Sequence, residues 1–148
     1  MSLYSGGCLC RQITYTVSSE PTWQFACHCN FCKNVSGTAF RTYCIFAKGD
    51  FKMSGSGLSE FDYISPDHGR RLTNQFCSKC GTPIGITIES SPDKQFIQVG
   101  TLDQRKDLNI VDNIWGSEAL PWVGFSEESC VYSKARRKSD GTYGDRLK

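Results

Sequence analysis

The chain is 148 residues long, with 17 Lys/Arg against 15 Asp/Glu and a formal charge of +2 at neutral pH. Such a length suits one domain with one core, since compact domains run to roughly 100–150 residues. No run approaches the ~18 apolar residues of a membrane-spanning helix, and Met1-Ser2-Leu3-Tyr4-Ser5-Gly6-Gly7 lacks the apolar centre of a signal peptide, so a soluble cytoplasmic protein is expected.

The charge is unevenly spread. Residues 134–148 carry six Lys/Arg and two Asp/Glu, leaving eleven against thirteen elsewhere. Lys134-Ala135-Arg136-Arg137-Lys138, followed by Ser139-Asp140-Gly141, reads as a flexible basic tail behind a domain over 1–133. That tail is the one feature favouring nucleic acid, and it is too slight to support such a partner.

In chain order, Gln12 to Val17 alternates Ile13, Tyr15 and Val17 with polar residues, the pattern of a half-buried strand. Trp23-Gln24-Phe25 leads as a second strand into Cys27-His28-Cys29-Asn30-Phe31-Cys32. From Asn30 to Ser36 the spacing predicts a single helical turn that Gly37 closes. Phe40 to Phe46 is a β-branched and aromatic strand, and Leu58 to Ile64 alternates again. Ser65-Pro66-Asp67-His68-Gly69 is a turn with a surface histidine, and Arg70-Arg71 a solvated strand edge. Leu72–Phe76, Ile84–Ile88 and Phe96–Val99 complete the strands. Residues 109–123 show no period, and Pro121 excludes a continuous helix. Many short strands and almost no helical period give a mostly β domain.

Seven of the nine cysteines fall in three clusters, at 8/10, 27/29/32 and 77/80. Cys44 and Cys130 stand alone among apolar neighbours and read as small buried hydrophobes. Cys8-Leu9-Cys10 would close too tiny a disulfide ring, whereas thiolates at i and i+2 of an extended segment point the same way and can share a metal. Cys77-Ser78-Lys79-Cys80-Gly81 is a common half of a zinc site. A thioredoxin-like redox pair would need a helix at the motif, and here Pro83 and an alternating strand follow. Spacing leaves the partition of seven thiols between two metals open, with 8/10 the natural complement of 77/80.

That complement leaves Cys27, Cys29 and Cys32, three ligands and an open position, the pattern of a reactive zinc site. Two positive charges against three thiolates make a poor activator of water but a good holder of an incoming thiol, which suggests thiol addition to, or elimination from, an electrophilic carbon. A closed site with His28 as fourth ligand is the alternative; in an extended segment, however, His28 points away from Cys27 and Cys29. A water or His28 would relay the proton.

The chain resembles the glutathione-dependent formaldehyde-activating enzyme family, which includes centromere protein V. The resemblance is carried by Gly7-Cys8-Leu9-Cys10, Cys27-His28-Cys29-Asn30-Phe31-Cys32 with Ser36-Gly37, Phe76-Cys77-Ser78-Lys79-Cys80-Gly81-Thr82-Pro83, Gly100-Thr101-Leu102-Asp103 and Leu120-Pro121-Trp122. It implies a β-tent fold with small antiparallel sheets around the zinc sites and two zinc ions per chain. One would be structural, on Cys8, Cys10, Cys77 and Cys80. The second would be labile, on Cys27, Cys29 and Cys32.

The implied partners are a small-molecule thiol, glutathione, and an aldehyde, formaldehyde. The implied activity is that of a carbon–sulfur lyase of the S-(hydroxymethyl)glutathione synthase kind. Asn30, Phe31 and Trp122 are candidates for a pocket wall or for packing. Two other functions stand beside this one: a non-catalytic zinc scaffold binding a partner through residues 134–148, and a thiol/zinc redox sensor built on the open trithiolate.

Overall fold

In the computed structural model, which describes residues 1–148, the chain forms eleven strands, one α-helix and four short 3-10 turns. The strands and helix are β1 (Tyr4–Gly7), β2 (Ile13–Val17), β3 (Trp23–Cys27), α1 (Asn30–Ser36), β4 (Arg41–Ala47), β5 (Phe51–Gly55), β6 (Leu58–Ile64), β7 (Arg71–Cys77), β8 (Pro83–Ile88), β9 (Lys94–Gln98), β10 (Asp112–Ile114) and β11 (Cys130–Val131). The mostly β class expected from the pattern is observed, and no helix is long and apolar enough to cross a membrane.

Where a single domain was expected, the chain divides into two compact units. The first comprises Met1–Trp23 and Cys44–Leu108, the second Gln24–Tyr43 and Asn109–Lys148. Each is assembled from separated stretches, and composition carries no mark of such a division.

In the first unit, β1, β2 and β5 form an antiparallel sheet with β2 in the middle. Ile13, Tyr15 and Val17 are buried and the threonines between them exposed, as alternation requires. The Tyr15 hydroxyl pairs with Thr101 Oγ1 at 2.7 Å, and a Cβ on Gly6 would lie 2.3 Å from the Thr101 carbonyl oxygen, so only glycine fits there. β6, β7, β8 and β9 follow as an antiparallel meander, with Ile84, Ile86, Phe96 and Ile97 buried. β6 is largely exposed, Phe61 and Ile64 included, because only one neighbour covers it.

In the second unit, β10 pairs in parallel with both β3 and β11, a departure from the all-antiparallel sheets expected. Sequence gives no warning of it: β10 is three residues long, too short for a period. Phe25 and Ala26 of β3 and Asn113 of β10 are buried, and Phe25 packs on Tyr43 with ring centroids 5.4 Å apart.

The basic segment 134–148, expected as a flexible tail, belongs to this second unit and folds back on it. Val131 N–H donates to the Lys148 carbonyl, Leu147 N–H to Val131 and Ser133 N–H to Asp145, with bridges at Tyr132–Arg146 and Arg137–Tyr143. The Asp140 carboxylate accepts from Thr142 N–H and Oγ1 at the turn, and the Arg137 guanidinium stacks 4.1 Å from the Tyr143 ring centroid. Counting charge overlooked this turn chemistry and the tyrosine that two arginines can cover.

Candidate metal centres

The first centre lies in the first unit. Cys8 leaves β1, Cys10 precedes β2, Cys77 ends β7 and Cys80 precedes β8, and the four sulfurs lie within 4.8 Å of one another. Tetrahedral zinc with Zn–S bonds of about 2.3 Å sets its sulfurs about 3.8 Å apart. Here Cys8 and Cys10 are 3.6 Å apart and Cys10 and Cys77 3.9 Å, so the donor set fits that ion.

Two matching turns build it. Arg11 N–H donates to the Cys8 carbonyl and Gly81 N–H to the Cys77 carbonyl. Both turns need a left-handed residue, with φ of 61° at Arg11 and 73° at Gly81. Gly81 adopts this freely. Arg11 does so at a cost, while its guanidinium reaches the Asp103 carboxylate at 2.6 Å.

Thr82, which the sequence reading quoted in a motif without giving it a role, ties the two halves together. Its hydroxyl accepts from Leu9 N–H at 3.1 Å, which leaves its proton for Cys80 Sγ, also at 3.1 Å. That hydroxyl, followed by backbone N–H groups, pushes Cys80 down to about 5. Cys8 Sγ accepts from Ile13 N–H at 3.3 Å. Although burial works against it, this amide and the thiols of Cys10 and Cys77 lower the Cys8 pKa.

The second centre lies in the second unit, where β3 runs into α1. Cys27, Cys29 and Cys32 bring their sulfurs within 4.8 Å of one another, Cys27 and Cys32 buried and Cys29 partly exposed. Cys29 is the N-cap of α1, its sulfur accepting from Cys32 N–H at 3.4 Å, and Gly37 ends the helix in a left-handed conformation. Glu118 holds the start of that helix: its carboxylate accepts from Asn30 N–H at 2.8 Å, and its carbonyl accepts from Lys33 Nζ.

The three thiols are not equivalent. Hydrogen bonds from Cys27 and Cys32, then from backbone amides, overcome burial and push Cys29 down to about 3. Cys27 is pushed well up, first by its bond to that thiolate. Cys32 is drawn down by Cys27 but pushed up more by Cys29 and burial, to about 12. The Tyr43 hydroxyl lies 3.5 Å from Cys32 Sγ. Burial, then the interaction with Cys32, raises Tyr43 well above its ordinary value, so it stays protonated and has a proton to offer a Cys32 thiolate. The buried Arg41 places its guanidinium 5.2 Å over the Tyr43 ring, a positive charge in the surroundings of a cluster whose charge with zinc would be negative. Tyr43 and Arg41 were read only as part of a strand.

His28 is 1% exposed and lies outside the converging sulfurs. Its Nε2 is 3.0 Å from Asn113 Oδ1, and its ring packs against Phe40 and Phe125. Of the other residues singled out, Cys44 is fully buried and Cys130 only partly. His68 is exposed, its Nδ1 accepting from Arg70 N–H. Arg71 is exposed beside Asp62, Asn30 is exposed, Phe31 half-buried and Trp122 74% exposed.

A fold whose two cysteine clusters can each hold a soft metal defines the class. The family model described as "Glutathione-dependent formaldehyde-activating enzyme" matches residues 3–118, and the chain belongs to that family. A Rhodobacter sphaeroides protein of known crystal structure has a similar fold, with a TM-score of 0.55 at 17% identity over 72% of this chain and 96% of that one. No curated protein matches the chain significantly.

Proposed function

We propose that the chain joins glutathione to formaldehyde as S-hydroxymethylglutathione and catalyses the reverse elimination, with Cys27, Cys29 and Cys32 as ligands of the reactive zinc and Cys8, Cys10, Cys77 and Cys80 as ligands of a structural one. The observation that carries this reading is the convergence of three sulfurs, with no fourth ligand residue among them, in a member of this family. Zinc bound there would supply a position at which a substrate thiol is held as its thiolate.

The chain's own residues set up that position. The half-exposed Cys29 gives the cluster its open side, while Cys27 and Cys32 are closed off from solvent. With Cys32 as a thiolate ligand, Tyr43 at 3.5 Å would donate to it and fix the direction of that sulfur. Glu118 holds the first turn of α1, and with it the spacing of Cys29 and Cys32. In the synthetic direction the substrate sulfur forms a bond to the aldehyde carbon, the carbonyl π pair moves to oxygen, and that oxygen takes up the proton the thiol gave up. The position of His28, buried against Asn113, favours water over imidazole as the carrier of that proton.

The test is exchange NMR on glutathione mixed with formaldehyde, whose uncatalysed equilibrium serves as control. Faster exchange with zinc-loaded protein, lost in Cys29→Ser while the fold persists, is the expected result. Equal exchange with and without protein would overturn the reading.

A further inference from the structure

A cavity of about 430 Å³ opens on the first unit, with Gly7, Leu9, Arg11, Thr82, Gly100 and Arg105 in its wall. Both arginines are exposed to solvent, and no carboxylate lines the cavity. Of the clustered cysteines only Cys8 borders it, and none of the trithiolate does.

Arg11 stands where the backbone favours glycine. Its φ is 61°, and at the matching place in the other turn of the four-cysteine centre Gly81 takes a φ of 73° without strain. What arginine adds over glycine there is a charged side chain, and a strained backbone kept in a fold points to a use for it. That side chain is held ready. Its Nη2 donates to Asp103 Oδ1 at 2.6 Å, and Ser5 Oγ donates to Asp103 Oδ2 at 2.8 Å, so both carboxylate oxygens are taken. The pair uses one of the three guanidinium nitrogens. Nη1 lies 3.3 Å from where a Cβ on Gly7 would stand, against a residue of the cavity wall. Arg105 is anchored in the same manner, its Nη1 donating to the Leu102 carbonyl at 3.0 Å and the rest of its fork left over.

We propose that this cavity is a binding site for a small carboxylic acid, held as its carboxylate between Arg11 and Arg105 with an apolar body resting on Leu9. Planar forks of N–H donors match the two oxygens of a carboxylate. Four thiolates on one zinc would leave two negative charges beside the cavity, at Cys8, which favours a singly charged head over a dianion such as phosphate. Leu9 is 85% exposed and offers the wall an open apolar surface. The volume has room for more than the carboxylate itself.

The test is calorimetric titration of zinc-loaded protein, at constant ionic strength, with benzoate and with benzamide, which has the same shape and no charge. Benzoate should bind saturably, and benzamide at least ten-fold more weakly. Arg105→Gln should weaken benzoate at least ten-fold while zinc content is kept, and Arg11→Gly, which suits the left-handed turn, should weaken it as much. Gly100→Phe, at a position where a Cβ meets nothing within 4 Å, should block the cavity with both arginines in place. Cys29→Ser should bind benzoate as the native chain does, which separates this site from the reactive centre proposed above. Absence of saturable binding, equal binding of benzamide, tighter binding of phosphate, or loss of benzoate binding in Cys29→Ser would each overturn the proposal. So would a benzoate affinity unchanged in Arg105→Gln or Gly100→Phe, the result expected if the arginines serve only to offset the thiolates.

Discussion

The phenol oxygen of Tyr43 lies 3.5 Å from the Sγ of Cys32, and a buried arginine, Arg41, stands over the same ring. Outer hydrogen bonds to metal ligands typically govern metal affinity by about ten- to a hundred-fold. Tyr43→Phe keeps the ring and removes the donor. Its second metal should be held about ten-fold more weakly, by competition with a chromophoric chelator, while the first is unaffected. Unchanged affinity would show the contact to be incidental.

At the first centre, loss of metal should unfold the first unit. Structural zinc is worth about 10–16 kcal/mol apparent, against about 5–15 kcal/mol for the net stability of a domain. Cys77→Ser should therefore give protein without a cooperative thermal transition. Thr82→Val is the milder probe: it removes the partner of Leu9 N–H and the donor to Cys80, and should cost about 1–3 kcal/mol and speed zinc release. A Cys77→Ser protein melting like the native one would contradict the assignment.

The three thiols of the second centre should titrate apart. At pH 7, Cys29, held at about 3, is already ionised, while Cys27 and Cys32 keep their protons. Binding one zinc should therefore release about two protons rather than three, measurable by calorimetry in buffers of differing ionisation enthalpy. The sign for stability follows. A free thiol titrates near 8.5, so below that the unfolded chain holds a proton that folded Cys29 lacks. Metal-free protein gains stability from Cys29 as pH rises from about 3 toward 8.5 and loses it as pH falls. Above about 8.5 Cys32 acts in reverse, because the folded chain keeps a proton the unfolded one gives up, and this contribution is lost toward pH 12. Three protons released would contradict the assigned states.

Removing residues 134–148 should lower the thermal stability of the second unit. The deletion strips Val131 and Ser133 N–H of their acceptors and takes Leu147 away from Val131. Calorimetry on the truncated chain would show a lower melting temperature. No change would restore the picture of a free tail.

The cysteine grouping was legible because thiols at short spacings have few other uses, and the helical turn because Gly37 marks its end. The strands of the first unit were legible through alternation, as in Ile13, Tyr15 and Val17, whose pattern the structure keeps. The residues that support the sulfurs were not. Tyr43 and Glu118 reach their partners through a hydroxyl and a carboxylate of ordinary surface type, without spacing to mark them, and Thr82 stood in a quoted motif whose sequence does not show what its hydroxyl touches. Arg41 read only as part of a strand, and the fold shows its side chain buried. The parallel pairing of β10 rests on three residues and is invisible to any period.

The most direct measurement of the central claim replaces both metals with cobalt(II) and follows the thiolate-to-cobalt charge-transfer band as glutathione, then S-methylglutathione, is added. If the substrate sulfur completes the set begun by Cys27, Cys29 and Cys32, glutathione should raise the band and S-methylglutathione should leave it unchanged, with no response from the four-cysteine centre in a Cys29→Ser chain. A band indifferent to glutathione, or equally sensitive to both compounds, would contradict it.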